Sequence, residues 1–260
     1  MTKIQLTQQE QHARKKICLA LDNFYDVKAI THCLTELSPL VGMFKIGKEL
    51  FTRFGPDVVK RVHGFGAEVF LDLKYHDIPN TVKGAAYAAA QLGVYLFNVH
   101  ASGGLKMMHA ALEGAKEASA AHHLRLPKII GVTVLTSIDQ QTLHTDLRIA
   151  GPLEIHVLHL AQLTQQAGLD GIVCSAADVQ AIREHLPSDF LYVTPGIQGL
   201  DMTAGTDQKR VFTSRRAIQA GASILVVGRA ITAAPDRAAA ACEILQDLVN
   251  AEKVDSAAAV

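Results

Sequence analysis

Tryptophan is absent from the chain, and the aromatic share is only 5%. Stacking platforms for single-stranded nucleic acid are therefore not expected. An excess of either charge is also missing, since 25 Lys and Arg balance 25 Asp and Glu. No global field exists to hold a polyanion, which argues against a dedicated nucleic-acid binder. The four cysteines, Cys18, Cys33, Cys174 and Cys242, form no close pair and no C-x-x-C spacing, so neither a disulfide framework nor a zinc site is expected. Cys18 and Cys174 lie in apolar runs, where a thiol behaves as a small hydrophobe. The set fits the reduced thiols of a cytoplasmic protein. No run of about 18 apolar residues occurs, and the polar opening MTKIQLTQQEQHARKK has no export-signal core. Neither membrane association nor export is expected.

What is present is apolar material in quantity, 49% of 260 residues, enough to bury a large core without disulfide or metal. Short β-branched runs alternate with longer amphipathic segments. Strands are expected at Ile17–Asp22, Met43–Gly47, Glu68–Lys74, Leu96–His100, Ile129–Thr136, Gly171–Ser175, Leu191–Gly196 and Ile224–Arg229. Helices are expected at Val27–Leu37, Pro56–His63, Thr81–Gly93, Leu105–Ala121, Pro152–Gly168, Ala177–His185, Ser214–Gly221 and Pro235–Val249. Eight strand–helix units in series, with strands apolar on both faces, indicate parallel βαβ architecture. The length suits a closed (β/α)8 barrel, the TIM-barrel form of the α/β class. No linker divides the chain, so one domain spanning 1–260 is expected, with flexible ends at 1–14 and 252–260.

Strand parity locates the chemistry. Alternate residues of a strand share a face, so Asp22 lies with Ala20, Lys45 lies opposite Phe44 and Ile46, and Asp72 lies with Lys74. Three strands thus turn charge inward near their C-terminal ends, where barrel active sites sit. Stability alone would not keep four charges there, because unpaired burial costs several kcal/mol each. Asp72, Lys74 and Asp77 form the pattern D-x-K-x-x-D, with Asp77 in the loop before a helix begun at Pro79. A plainer reading makes Asp77 or Asn80 a helix N-cap. At the other end of the chain, Gly228-Arg229 closes the eighth expected strand. Loops after barrel strands seven and eight frequently bind phosphate, and Arg229 offers a bidentate contact.

These segments carry a resemblance. ALD (Ala20–Asp22), FKIGKELF (Phe44–Phe51), FLDLKYHDIPNTV (Phe70–Val82), NVHASGG (Asn98–Gly104), VTVLTS (Val132–Ser137), GLDGIVCSA (Gly168–Ala176), VTPGI (Val193–Ile197) and VVGRAIT (Val226–Thr232) occur in order over nearly the whole chain. Together they resemble the orotidine 5′-phosphate decarboxylase family. The resemblance implies conversion of orotidine 5′-monophosphate to uridine 5′-monophosphate and CO2, the last step of de novo pyrimidine synthesis, with no metal and no organic cofactor. It implies a homodimer in which Asp77 and Thr81 serve the neighbouring subunit's site. Lys74 resembles the proton donor to C6, with Lys45, Asp72 and Asp77 completing the charged network. Asp22 and Lys45 would contact the ribose, Thr136 and Ser137 the pyrimidine, and Gln208, Gly228 and Arg229 the phosphate. Gln198 stands where many bacterial relatives carry Arg, in a loop reaching to Gln208 that looks one residue longer. Lys209 or Arg210 could replace the lost contact, and closure of this loop over the base would draw on phosphate binding.

Two alternatives stay open. Ketogulonate-phosphate decarboxylases and hexulose-phosphate synthases share D-x-K-x-x-D, usually without the following I-P-N-T, and a phosphosugar lyase of that kind would usually need Mg2+. A catalytically dead barrel acting as a scaffold is the other, which retention of all four inward charges argues against.

Overall fold

The structure, a computed structural model, describes residues 5–198 and 212–258. In its first half, β1 (Ile17–Ala20), β2 (Met43–Gly47), β3 (Glu68–Tyr75) and β4 (Leu96–His100) follow or alternate with α1 (Gln8–Arg14), α2 (Val27–Leu37), α3 (Lys48–Phe54), α4 (Asp57–His63), α5 (Pro79–Gln91) and α6 (Gly104–His122). The second half holds β5 (Lys128–Val132), α7 (Gln140–Thr145), α8 (Leu153–Gln166), β6 (Gly171–Val173), α9 (Ala176–Ile182) and β7 (Leu191–Gln198). It ends with β8 (Phe212–Thr213), α10 (Ser214–Ala220), β9 (Ile224–Val227), α11 (Arg229–Thr232) and α12 (Arg237–Ala258).

Among the described residues, all strand pairings are parallel. The order β6-β5-β4-β3-β2-β1-β9-β7 is closed by pairing of β6 with β7, so eight strands make a barrel, and two-residue β8 extends the end of β7. The expected (β/α)8 barrel is therefore the observed fold. Its inner layer is small: Cys18, Ala20, Met43, Phe70, Leu96, Ile130, Val193, Ile224 and Val226 fill the barrel. The opposite strand faces meet the helices in a larger apolar layer that includes Leu19, Phe44, Leu71, Phe97 and Ile172. This is the alternation that strand parity demands.

Local chemistry fixes the helix starts. The Asp26 carboxylate accepts the Ala29 N–H at 2.8 Å and caps α2, while Pro79 opens α5 with the fixed φ suited to a first helical turn. Helices α5 and α6 pack so closely that a Cβ on Gly114 would meet the Lys83 carbonyl oxygen at 2.2 Å.

The structure corrects several expectations. Four helices, α1, α3, α7 and α11, and the short β8 were not expected. Helix occupies part of both terminal stretches: α1 begins with a capping box between Thr7 and Glu10, and α12 continues to Ala258. Gln246 donates to Glu10, tying α12 to α1.

Candidate active site

At the C-terminal end of the strands lies a cavity of about 660 Å³. It is lined by Asp22, Lys45, Asp72 and Lys74, by Thr136 and Ser137 after β5, and by Gly228 and Arg229 after β9. Beneath them Ala20, Phe70, Val132, Val173, Cys174 and Val226 form an apolar floor.

The charges form a chain of ion pairs. The Asp22 carboxylate accepts from Lys45 Nζ at 2.9 Å, Lys45 Nζ lies 3.4 Å from Asp72 Oδ2, and Lys74 Nζ donates to Asp72 Oδ1 at 2.5 Å. Lys45 and Asp72 are each only 8% exposed. Burial opposes the Lys45 ammonium, but the carboxylates of Asp72 and Asp22 outweigh it and hold its pKa above the ordinary lysine value. Burial likewise opposes the Asp72 carboxylate, and Lys45, Lys74 and the Asn98 amide overcome it, leaving its pKa below the usual range. Both groups stay charged across neutral pH. Gly47 gives this pair its room: a Cβ there would sit 3.1 Å from Lys45 Nζ and 3.2 Å from Asp22 Oδ1.

Lys74 is held in an uncommon backbone state. Its φ is +50°, a left-handed conformation costing a residue with a Cβ on the order of 1–3 kcal/mol. The β3–β4 ladder pairs Leu71 with Phe97 and Tyr75 with Val99, so β3 bulges between them. Bulges re-aim side chains, and this one turns Lys74 toward Asp72. Asn98 of β4, fully buried, accepts the Lys74 N–H at 2.8 Å and donates to Asp72 Oδ1 at 2.7 Å. Neither the bulge nor Asn98 was anticipated. A polar residue at an inward position of an apolar strand was the available signal, because a buried amide requires partners.

Eight of the expected site residues line the cavity: Asp22, Lys45, Asp72, Lys74, Thr136, Ser137, Gly228 and Arg229. Two do not. Asp77 and Thr81 are exposed and are not among the residues of the same chain that line it. Nor do Asp77 or Asn80 cap α5: the N-cap is Ile78, without a side-chain bond, and the Asp77 carboxylate accepts the Ile78 N–H at 2.6 Å. Gln198 ends β7, whereas Gln208, Lys209, Arg210 and the expected loop closure lie outside the described residues. Asn23, at φ +64°, lines the cavity unforeseen. His76 and His100 meet with ring centres 5.2 Å apart. Among the described residues, no three His, Cys, Asp or Glu side chains gather as a metal-binding group.

A closed parallel barrel with alternating lysines and carboxylates sunk into its C-terminal mouth defines a class: (β/α)8-barrel enzymes with their site at the strand ends. Residues 15–244 match the family model for the orotidine 5′-phosphate decarboxylase / HUMPS family, and the chain belongs to that family. It is 45% identical over 244 residues to the orotidine 5′-phosphate decarboxylase of Syntrophus aciditrophicus, covering 94% of this chain and 97% of that one. Identity to the orotidine 5′-phosphate decarboxylase of Halorhodospira halophila is 52% over 216 residues, 83% of this chain and 89% of that one. The crystal structure of orotidine 5′-phosphate decarboxylase from Lactobacillus acidophilus superposes with a TM-score of 0.78 at 37% identity, covering 90% and 99% of the two chains.

Proposed function

We propose that this chain is the carboxy-lyase that converts orotidine 5′-monophosphate to uridine 5′-monophosphate and CO2, the last step of uridine monophosphate biosynthesis. The family model spans two branches, and relatives that share half the residues over most of the chain are named for this decarboxylation. The observation that carries the reading is the chain Asp22–Lys45–Asp72–Lys74 at the cavity wall.

Breaking the bond from C6 to the carboxylate leaves the electron pair in an sp2 orbital of C6, out of conjugation with the ring. A positive charge placed beforehand at that atom is what this carbanion requires. The Lys74 ammonium about 4 Å away supplies about 4 kcal/mol at an effective dielectric of about 20, on the order of three decades of rate. Its proton then passes to C6, and the neutral amine regains one from solvent. Asp72 holds Lys74 by its Oδ1, so no reorganisation is needed as charge develops. Asp72 also stands beside the departing carboxylate and crowds it.

Asp22 and Lys45 are assigned to the ribose, and Thr136 and Ser137 to the pyrimidine. Gly228 and Arg229, at the start of α11, are assigned to the phosphate with Gln208 and Gln198. In a homodimer, Asp77 and Thr81 are assigned to the neighbouring subunit's site. Both are exposed and neither lines its own chain's cavity, which supports that assignment.

The test is the ultraviolet absorbance of orotidine 5′-monophosphate incubated with the protein and excess EDTA. The expected outcome is full conversion at a rate that EDTA does not change. Activity only on a phosphosugar and only with Mg2+ would move the chain to the other branch of its family.

A further inference from the structure

Where β3 bulges, its residues 72 to 74 leave the ladder, and Asn98 is the β4 residue opposite the gap between the Leu71–Phe97 and Tyr75–Val99 pairings. Asn98 shares the inward face of β4 with Leu96, which belongs to the barrel's inner apolar layer. Its side chain bonds both ends of the bulge. Its carbonyl oxygen takes the Lys74 N–H, and its amide nitrogen donates to the carboxylate oxygen that also receives Lys74 Nζ. Because the residue is fully buried, solvent is not at hand to replace either bond. A side chain with one acceptor and one donor, set at this spacing, fits the gap as a hydroxyl, an ammonium or an apolar group would not.

We propose that Asn98 is a positioning residue for the decarboxylation. It holds Lys74 in its left-handed backbone state and fixes the Asp72 rotamer, so that the ammonium is aimed before substrate arrives. This rests on the function proposed above. Asn98 does not line the cavity, and it acts only through Asp72 and Lys74. The ammonium then loses its aim without Asn98, and misplacement of a reacting group by about 1 Å costs about a hundredfold in rate.

Two variants test the assignment. In Asn98→Leu, which keeps the four side-chain heavy atoms branched at Cγ but removes the donor and the acceptor, kcat should fall about 30- to 100-fold while KM stays within about threefold of wild type, since no substrate contact is lost. The Lys74 amide should exchange its hydrogen at least about tenfold faster, its acceptor being gone. Asn98→Asp keeps the acceptor but sets a carboxylate against Asp72, whose other ionisable neighbours are Lys45, Lys74, His100 and Cys18. Like charges so close cannot both ionise readily. The protonated form donates as the amide does, so the deficit in kcat should shrink at least about fivefold between pH 8 and pH 6.

An Asn98→Leu enzyme with wild-type kcat and wild-type Lys74 exchange would overturn the proposal, as would a KM that rises while kcat holds. If Asn98→Leu does not fold, Asn98→Asp decides, and a pH profile parallel to wild type rejects the role. Should the wild type itself leave orotidine 5′-monophosphate intact, the proposed function falls, and the hold on Lys74 is judged by amide exchange alone.

Discussion

Lys74 is asked to do two things, to stabilise a carbanion and to protonate it, and both depend on where its nitrogen sits. The 2.5 Å bond to Asp72 and the inward turn at the bulge set that place. Lys74→Ala should therefore lower kcat by at least about a thousandfold, while the dissociation constant for uridine 5′-monophosphate, measured by titration calorimetry, moves by less than about tenfold. Equal losses in both would reject the proton-donor role. Arg229 has the opposite signature. It lines the cavity where the phosphate is assigned, and a phosphate contact works alike in ground and transition states. Arg229→Ala should raise KM and leave kcat within a few-fold; steady-state kinetics showing an unchanged KM would put the phosphate elsewhere. Parity brought Lys45 and Asp72 to the inward face, because alternation is a property of the strand itself, whereas Asp22 lies in the turn after β1 and Lys74 in the bulge of β3. It could not reveal that Lys74 has a positive φ, which no lysine advertises in a sequence and which depends on Asn98 lying across the ladder.

At the scale of elements, β2, β4 and α2 were legible end to end, each being an apolar pattern cut off by glycine, a polar residue or a turn. The helices missed were short or polar. For α1 the Thr7–Glu10 capping box was written in the sequence, but no apolar stripe followed to draw attention to it. Strand β4 carries one further consequence. The pKa of His100, at its end, is pushed down to about 4, first by burial and then by neighbouring His76, Lys48 and Lys74. The folded protein thus leaves His100 neutral in a range where the unfolded chain protonates it. Stability from this group is fully present above about pH 6.5 and is lost as pH falls toward 4. Below that, protonation of Asp72, whose pKa is also lowered, continues the loss. Urea midpoints should decline from pH 7 to pH 4.5, and His100→Asn should flatten the decline. A variant with the wild-type slope would remove His100 as its source.

For the whole molecule, the proposed sharing of sites makes a quantitative demand. If Asp77 completes the partner's cavity, Lys74→Ala and Asp77→Ala homodimers are both impaired, but a mixed dimer contains one site with neither substitution. Random reassortment makes half the dimers mixed, so mixing equal amounts after dissociation should restore about a quarter of wild-type activity. No recovery, with subunit exchange demonstrated, would place Asp77 in its own chain's chemistry or outside it. The sequence could not decide this point, since D-x-K-x-x-D reads the same whether its last carboxylate turns inward or outward.

The barrel closes where β1 meets β9, with Ile17 beside Leu225 and Leu19 beside Val227. These partners stand near opposite ends of the chain, so their meeting carries the largest loop-closure cost and falls late in folding. Lys45 and Asp72 stand on β2 and β3, yet Val193, Ile224 and Val226, which complete the inner apolar layer, come from the last third of the chain. Until that seam shuts, the two charges remain hydrated and their mutual attraction is weak. A nascent chain halted short of Ile224 thus bears all four charged side chains without the closed barrel that gives them their strength.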